Sequence, residues 1–205
     1  AVAGLGRVAR ALAAIGTLAI PAALTVWLAL LWGDGAKLSL YWAETHPDSE
    51  RAQGSAAEIL QASGRRDLAL LVLKRALERH PDNVNLELNR LVLRCYLTGI
   101  TGDDLARTAK VAAHGKYTFR TFDQLRELVN SANDPACRGL DGDGARTVLA
   151  ALSENPAAQA PSAQRQMLHL IGVLEVRDGR TESGFDWFTR SQITRPDPDL
   201  GLVET

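Results

Sequence analysis

The sequence predicts an all-α chain in which one apolar N-terminal helix precedes about eight helices arranged as a helical-repeat solenoid. Three observations carry that expectation. Residues Ala11 to Gly33 form an uncharged run of 23. The tripeptide His46-Pro47-Asp48 returns 34 residues later as His80-Pro81-Asp82. Alternating apolar and polar runs rich in β-branched residues, which would mark strands, are lacking. Composition sets the outer bounds: 205 residues, 46% hydrophobic, 23 Lys and Arg against 24 Asp and Glu, and a net charge of −1. That length suffices for one ordinary domain plus one extra element. So balanced a charge offers no basic field to a phosphate backbone, and nucleic acid is not expected as a partner. With Cys 2, Gly 17 and Pro 8, the chain is neither a disulfide scaffold nor a disordered segment.

The first element is the uncharged run, bounded by Arg10 and Asp34, in which 18 of the 23 residues are apolar. At helical rise it covers about 35 Å, against a bilayer core of about 30 Å, so it is read as a transmembrane helix over 11–33. A cleaved signal peptide would be shorter and would end in a small-x-small site rather than in Leu31-Trp32-Gly33-Asp34. A core helix with no polar face over this length is rare in so small a domain. Pro21 lies near the middle, where neighbouring helices tolerate a kink by re-satisfying the freed carbonyl. Gly16, Ala19 and Ala23 are small enough to pack closely on other membrane helices. Arg7 and Arg10 precede the span without an acid, whereas Asp34, Glu44, Asp48 and Glu50 outweigh Lys37 after it. The positive-inside rule then keeps residues 1–10 in the cytoplasm and sends the rest across the inner (cytoplasmic) membrane to the periplasmic side. Residues 34–45, with Tyr41 and Trp42 beside Trp32, are expected as an interfacial linker.

The repeat domain is expected over 46–198, followed by a tail at 199–205. Ser55 to Ala62 reads as a short helix, Gly64 to Asp67 as a turn, and Leu68 to Arg79 as a second helix with Leu68, Leu71, Val72 and Ala76 on its apolar face. Taken from Gly64, Ala57 lies seven residues before, and Ala69, Leu73, Ala76 and Pro81 lie five, nine, twelve and seventeen after. Gly179 has Gly172, Gly184, Phe188, Ser191 and Pro196 at the same offsets. Small residues permit close helix approach, the large one fills the groove, and Pro stops the second helix. On these residues, segments 50–83 and 165–198 resemble tetratricopeptide repeats (TPR). Both are divergent, because neither carries the large aromatic common early in the family's first helix.

Between them, Val84 to Leu97 reads as a helix capped by Asn83 or Asn85. Residues 98–102 read as a turn, and Asp103-Asp104 open a helix over Leu105 to Ala113 with acids at its favourable end. This pair resembles a further, loop-extended repeat. Phe119 to Val129 and Gly144 to Leu152 are expected as two more helices around a break at Asn133-Asp134-Pro135.

No catalytic, cofactor or metal site is expected. His46, His80, His114 and His169 include no His-x-x-x-His or Glu-x-x-His pair. His46 and His80 suit helix C-termini, where the dipole favours an imidazole. Asp141-Gly142-Asp143-Gly144 begins like a calcium loop but continues with Ala145 and Arg146, so it is read as a turn capping the next helix. Cys95 and Cys137 are candidates for a disulfide if the domain is extracytoplasmic and core residues otherwise. Phe188 is expected in the core, and Trp187 is the candidate contact for a partner.

The resemblance implies a membrane-anchored scaffold or adaptor whose concave face takes a protein or peptide. The layout also resembles the C-terminal part of bacterial polytopic glycosyltransferases and oligosaccharide polymerases with TPR tails. Under that alternative, the segment helps to position the acceptor protein, catalysis lies upstream, and the span packs on other membrane helices. A start at Ala1 rather than Met is expected of a processed chain or of a piece of a longer one.

Overall fold

A computed structural model describes residues 2–118 and 120–193. It is helical: α1 (Val2–Trp32), α2 (Gly35–Thr45), α3 (Glu50–Ala62), α4 (Arg66–Arg79), α5 (Val84–Leu97), α6 (Gly102–His114), α7 (Thr121–Ser131), α8 (Gly142–Ser153), a 3-10 turn (Pro156–Ala158), α9 (Pro161–Arg177) and α10 (Thr181–Ile193). Among the described residues there is no strand, only an isolated parallel bridge between Asn83 and Lys116. Pro196 and the tail at 199–205 lie outside them.

Local chemistry explains where these helices begin. Ser49, Asn83, Thr101 and Asp141 each offer a side-chain oxygen to a first-turn amide of α3, α5, α6 and α8. At α6, Thr101 and Asp104 complete a reciprocal capping box. Asp34 caps α2, its side chain accepting from the amides of Ala36 and Lys37 at 3.1 Å each. The stretch expected as a linker is therefore a helix, so that among the described residues α2 precedes the eight helices α3 to α10. Helix α1 also begins well before the uncharged run. Its segment Ile15–Trp32 is long and apolar enough to cross a membrane, and none of it is buried.

From α3 onward each odd-numbered helix packs on the even-numbered one after it, and α3 touches α5, α5 touches α7, and α7 touches α9. Helix α2 joins this array by packing on α3, with Gln53 Nε2 donating to the Ala43 carbonyl at 2.7 Å. Helix α5 lies between two hydrophobic clusters. Leu86 and Leu93 face Ala57, Leu73 and Ala76, while Leu88, Leu91 and Val92 face Leu125, Leu128 and Leu149. Ten of its fourteen residues are buried, so the charges it carries are buried with it.

The turns between successive pairs are hydrogen-bonded to one another. His80, the C-cap of α4, places Nε2 2.9 Å from the Asp48 carbonyl. Lys116 donates its backbone N–H to the Asp82 carbonyl at 2.7 Å. Asn155, 2% exposed, donates from Nδ2 to the carbonyls of Ala112 and Gly115 at 2.7 and 2.9 Å. His46, His80 and His114 thus recur at intervals of 34 residues at the ends of α2, α4 and α6. Residues 132–141 form the long connection between α7 and α8, and the Cys95–Cys137 disulfide ties it to α5. Arg138 adds a backbone N–H to the Cys95 carbonyl at 3.0 Å.

Candidate binding face

The residues singled out by their offsets from Gly64 and Gly179 lie within helix pairs. Ala57, Ala69, Leu73 and Ala76 are fully buried between α3 and α4. Gly64 and Gly179 have φ of 76° and 80° at the two turns, a conformation that favours glycine. Pro81 follows the C-cap of α4 and is exposed. Between α9 and α10, Gly172 and Gly184 oppose each other so closely that a Cβ on either would stand 3.1 or 3.0 Å from the other's carbonyl oxygen. Ser191 is buried and donates to the Phe188 carbonyl at 2.7 Å. Phe188 is half-buried, 5.2 Å from the ring of His169.

Trp187 is half-buried, with the Arg190 guanidinium 4.8 Å from its ring centre. The aromatic most open to solvent on α10 is instead Phe185, at 64%. A helical pattern fixes which residues share a face; the rotation of α10 against α9, set by the Gly172–Gly184 contact, decides which face looks outward. Asp141 caps α8, accepting from the Gly144 amide at 2.7 Å. Among the described residues no group of three His, Cys, Asp or Glu is placed to hold a metal ion.

The structure adds a polar cleft that no motif marked. Glu50 opens α3 and gathers three partners: Lys116 Nζ at 2.9 Å, Asn83 Nδ2 donating at 2.8 Å, and His80 Nδ1 at 3.3 Å. One carboxylate thereby fastens the start of α3 to the end of its own pair at His80 and to the next pair at Asn83 and Lys116. Beside it lies a cleft of about 170 Å³ lined by Arg51, Gly54, Glu58, Asn85, Thr118 and Arg120 as well as Glu50 and Asn83. Glu58 also borders a more open hollow of about 420 Å³ against α7, and Gln124 Nε2 donates to Glu58 Oε1 at 3.3 Å across it. The cleft walls desolvate Glu58 and push its carboxyl above the usual range, with Arg120 opposing and Asp123 adding to the shift.

The floor of this face is α5. Asn85 Oδ1 and, one turn on, Asn89 Nδ2 are buried atoms without a hydrogen-bond partner among the described residues. Carboxylate, guanidinium, hydroxyl and amide groups along the walls suit a ligand that brings both donors and acceptors, such as a peptide backbone. Such positions escape sequence reading because isolated Asn and Glu residues in helices form no motif; their meaning comes from three helices meeting.

Buried charge lies on the other side of α5. Glu87 accepts from Arg90 Nη2 at 2.7 Å, from Arg90 Nε at 3.0 Å and from Thr108 Oγ1 at 3.1 Å. Asp104 holds Arg94 Nη1 at 2.5 Å and Arg90 Nη1 at 3.4 Å. Burial pushes the Asp104 carboxyl up, but hydrogen bonds from Thr101 and the arginines outweigh it and leave the pKa below 3.8. These ions are mutually satisfied, which makes the cluster a fastening of α5 to α6 rather than an open binding site.

Comparison with protein-family models, with curated proteins and with solved structures returns no match to this chain.

Proposed function

We propose that this chain is a TPR-like interaction scaffold anchored in a membrane by α1, with its helical domain on the extracytoplasmic side. The observation that carries the reading is the polar cleft across α3, α5 and α7, the first helices of three successive pairs, walled by Glu58, Asn85 and Gln124. Successive helix pairs whose joining turns bond to one another support an α-solenoid arrangement, and solenoids present such faces to peptides and extended segments. The Cys95–Cys137 disulfide supports an oxidising compartment.

A photo-crosslinking amino acid placed at Arg51 or Gln124 in native membranes tests the face. A discrete adduct from these sites, and none from Leu71 on α4, supports it; equal labelling from all three overturns it. A second reading, the non-catalytic tail of a polytopic glycosyltransferase or polymerase, is favoured by α1, where no residue of Ile15–Trp32 is buried and a Cβ on Gly16 would meet nothing. An immunoblot of those membranes separates the two readings. Uncrosslinked protein near 22.1 kDa supports the scaffold, and a much larger detergent-extracted band supports the tail.

A further inference from the structure

Among the described residues, every exposed large hydrophobic side chain except Leu71, Val176, Phe185 and Ile193 lies between Ile15 and Trp42. Those on α1 are accounted for if that helix spans a membrane. Leu40, Tyr41 and Trp42 on α2 are not, for α2 buries none of its residues although it packs on α3.

The rings show how α2 sits against α1. Tyr41 meets Trp27 edge-on at 5.8 Å, and Trp42 meets Trp32 edge-on at 6.3 Å. Trp27 and Trp32 are separated along α1 by about 7.5 Å. Neighbouring residues of α2 reach both, so α2 turns back beside the last turns of α1 instead of leading away from them. The turn is fixed by Asp34, which caps α2 and pairs with Lys37 Nζ at 3.1 Å. Leu40, Tyr41 and Trp42 therefore share the level of the outer end of the apolar segment.

We propose that α2 is an interfacial helix that docks on the phospholipid surface, seating Leu40, Tyr41 and Trp42 in the headgroup layer. Tyr and Trp favour that layer because they pair an apolar ring with a polar N–H or O–H. A helix lying in the interface sinks its apolar face about 5–10 Å below the headgroups, deep enough for these three side chains. Lys37 and Glu44 lie toward the two ends of α2 and carry its charge. Because Gln53 of α3 grips the Ala43 carbonyl, the bilayer contact of α2 passes directly to the first helix pair.

The inference rests on the spanning role of α1, and the test separates the two. The chain has four Trp, at 27, 32, 42 and 187, so full-length variants that keep only Trp27, Trp42 or Trp187, with Phe at the other three, are reconstituted in phosphatidylcholine vesicles. Emission is then compared with lipids brominated at shallow or deep acyl positions. Expected is loss of more than half of the Trp42 emission with shallow bromines and less with deep ones. Trp27 is expected to be quenched at least as well by the deep lipid, and Trp187 by neither. Trp27 quenched but Trp42 untouched by either lipid overturns the docking of α2 and leaves the span standing. Trp27 untouched overturns the span and the inference with it.

Discussion

Gly172 lies under the ring of Phe188 so closely that a Cβ there would stand 2.6 Å from Cε1 of that ring. The same Cβ would be 3.1 Å from the Gly184 carbonyl, so even with the ring turned aside a backbone contact would have to give. Gly172→Ala is expected to destabilise the domain by about 1–3 kcal/mol through overpacking. Gly64→Ala has open space around it and φ of 76°, so its cost is the left-handed backbone alone, about 1 kcal/mol. Urea unfolding of the two variants checks the order: a larger loss at Gly64 would mean that α9 and α10 do not pack at Gly172.

The α5–α6 ion cluster gives a sign as well as a size. Glu87→Ala leaves Arg90 buried at 4% exposure with only the longer contact to Asp104, and a loss of about 3–5 kcal/mol is expected. Asp104 has its pKa lowered in the folded chain, so its contribution is complete above the unfolded value near 3.8 and disappears as pH falls through the depressed folded value. Asp104→Asn is therefore less stable at pH 7 and shows a shallower decline of stability below pH 4. Urea midpoints measured from pH 2 to pH 7 check both.

The disulfide closes a loop with a sequence separation of 42. On the chain-entropy account that constraint is worth about 4 kcal/mol, so paired replacement of Cys95 and Cys137 by Ser is expected to lower stability by about 2–4 kcal/mol. The wild type in dithiothreitol should approach the double variant in calorimetry. A double variant as stable as the oxidised wild type would remove the bond as a support of the fold.

How far the sequence spoke depends on the kind of signal. Small residues at fixed offsets from Gly64 and Gly179 could be read, because close helix approach admits little else. The 34-residue rhythm was legible in His46 and His80 but extends to His114, which lacks the Pro-Asp that made the first two visible. Helix α2 reads as a linker in the sequence because its periodicity is short and its aromatics are adjacent; the Asp34 cap is its local sign. The outward turn of Phe185 rather than Trp187 was not legible, since it depends on how α10 lies on α9. The cleft was not legible either, for Glu58, Asn85 and Gln124 come together only when α3, α5 and α7 assemble.

Asn155 offers the most discriminating test of the bonded turns. Its Oδ1 accepts from the Ala157 amide at 2.9 Å while its Nδ2 serves two carbonyls of the preceding turn, so one side chain caps the 3-10 turn and fastens it to α6. Asn155→Ala strips partners from the buried Ala112 carbonyl and the half-buried Gly115 carbonyl, and the buried one left unsatisfied costs about 1–3 kcal/mol. Asn155→Asp keeps the cap but turns a carboxylate toward those oxygens, and burial with carbonyl repulsion raises its pKa in the folded state. At pH 7 Asn155→Asp is therefore expected to be less stable than Asn155→Ala. Because a raised folded pKa costs stability as pH climbs, the gap should narrow as pH falls and a protonated carboxyl donates one hydrogen bond back. Thermal unfolding of both variants at pH 7 and pH 4.5 reads the difference. A gap that ignores pH would mean that position 155 does not face the carbonyls of the turn before it.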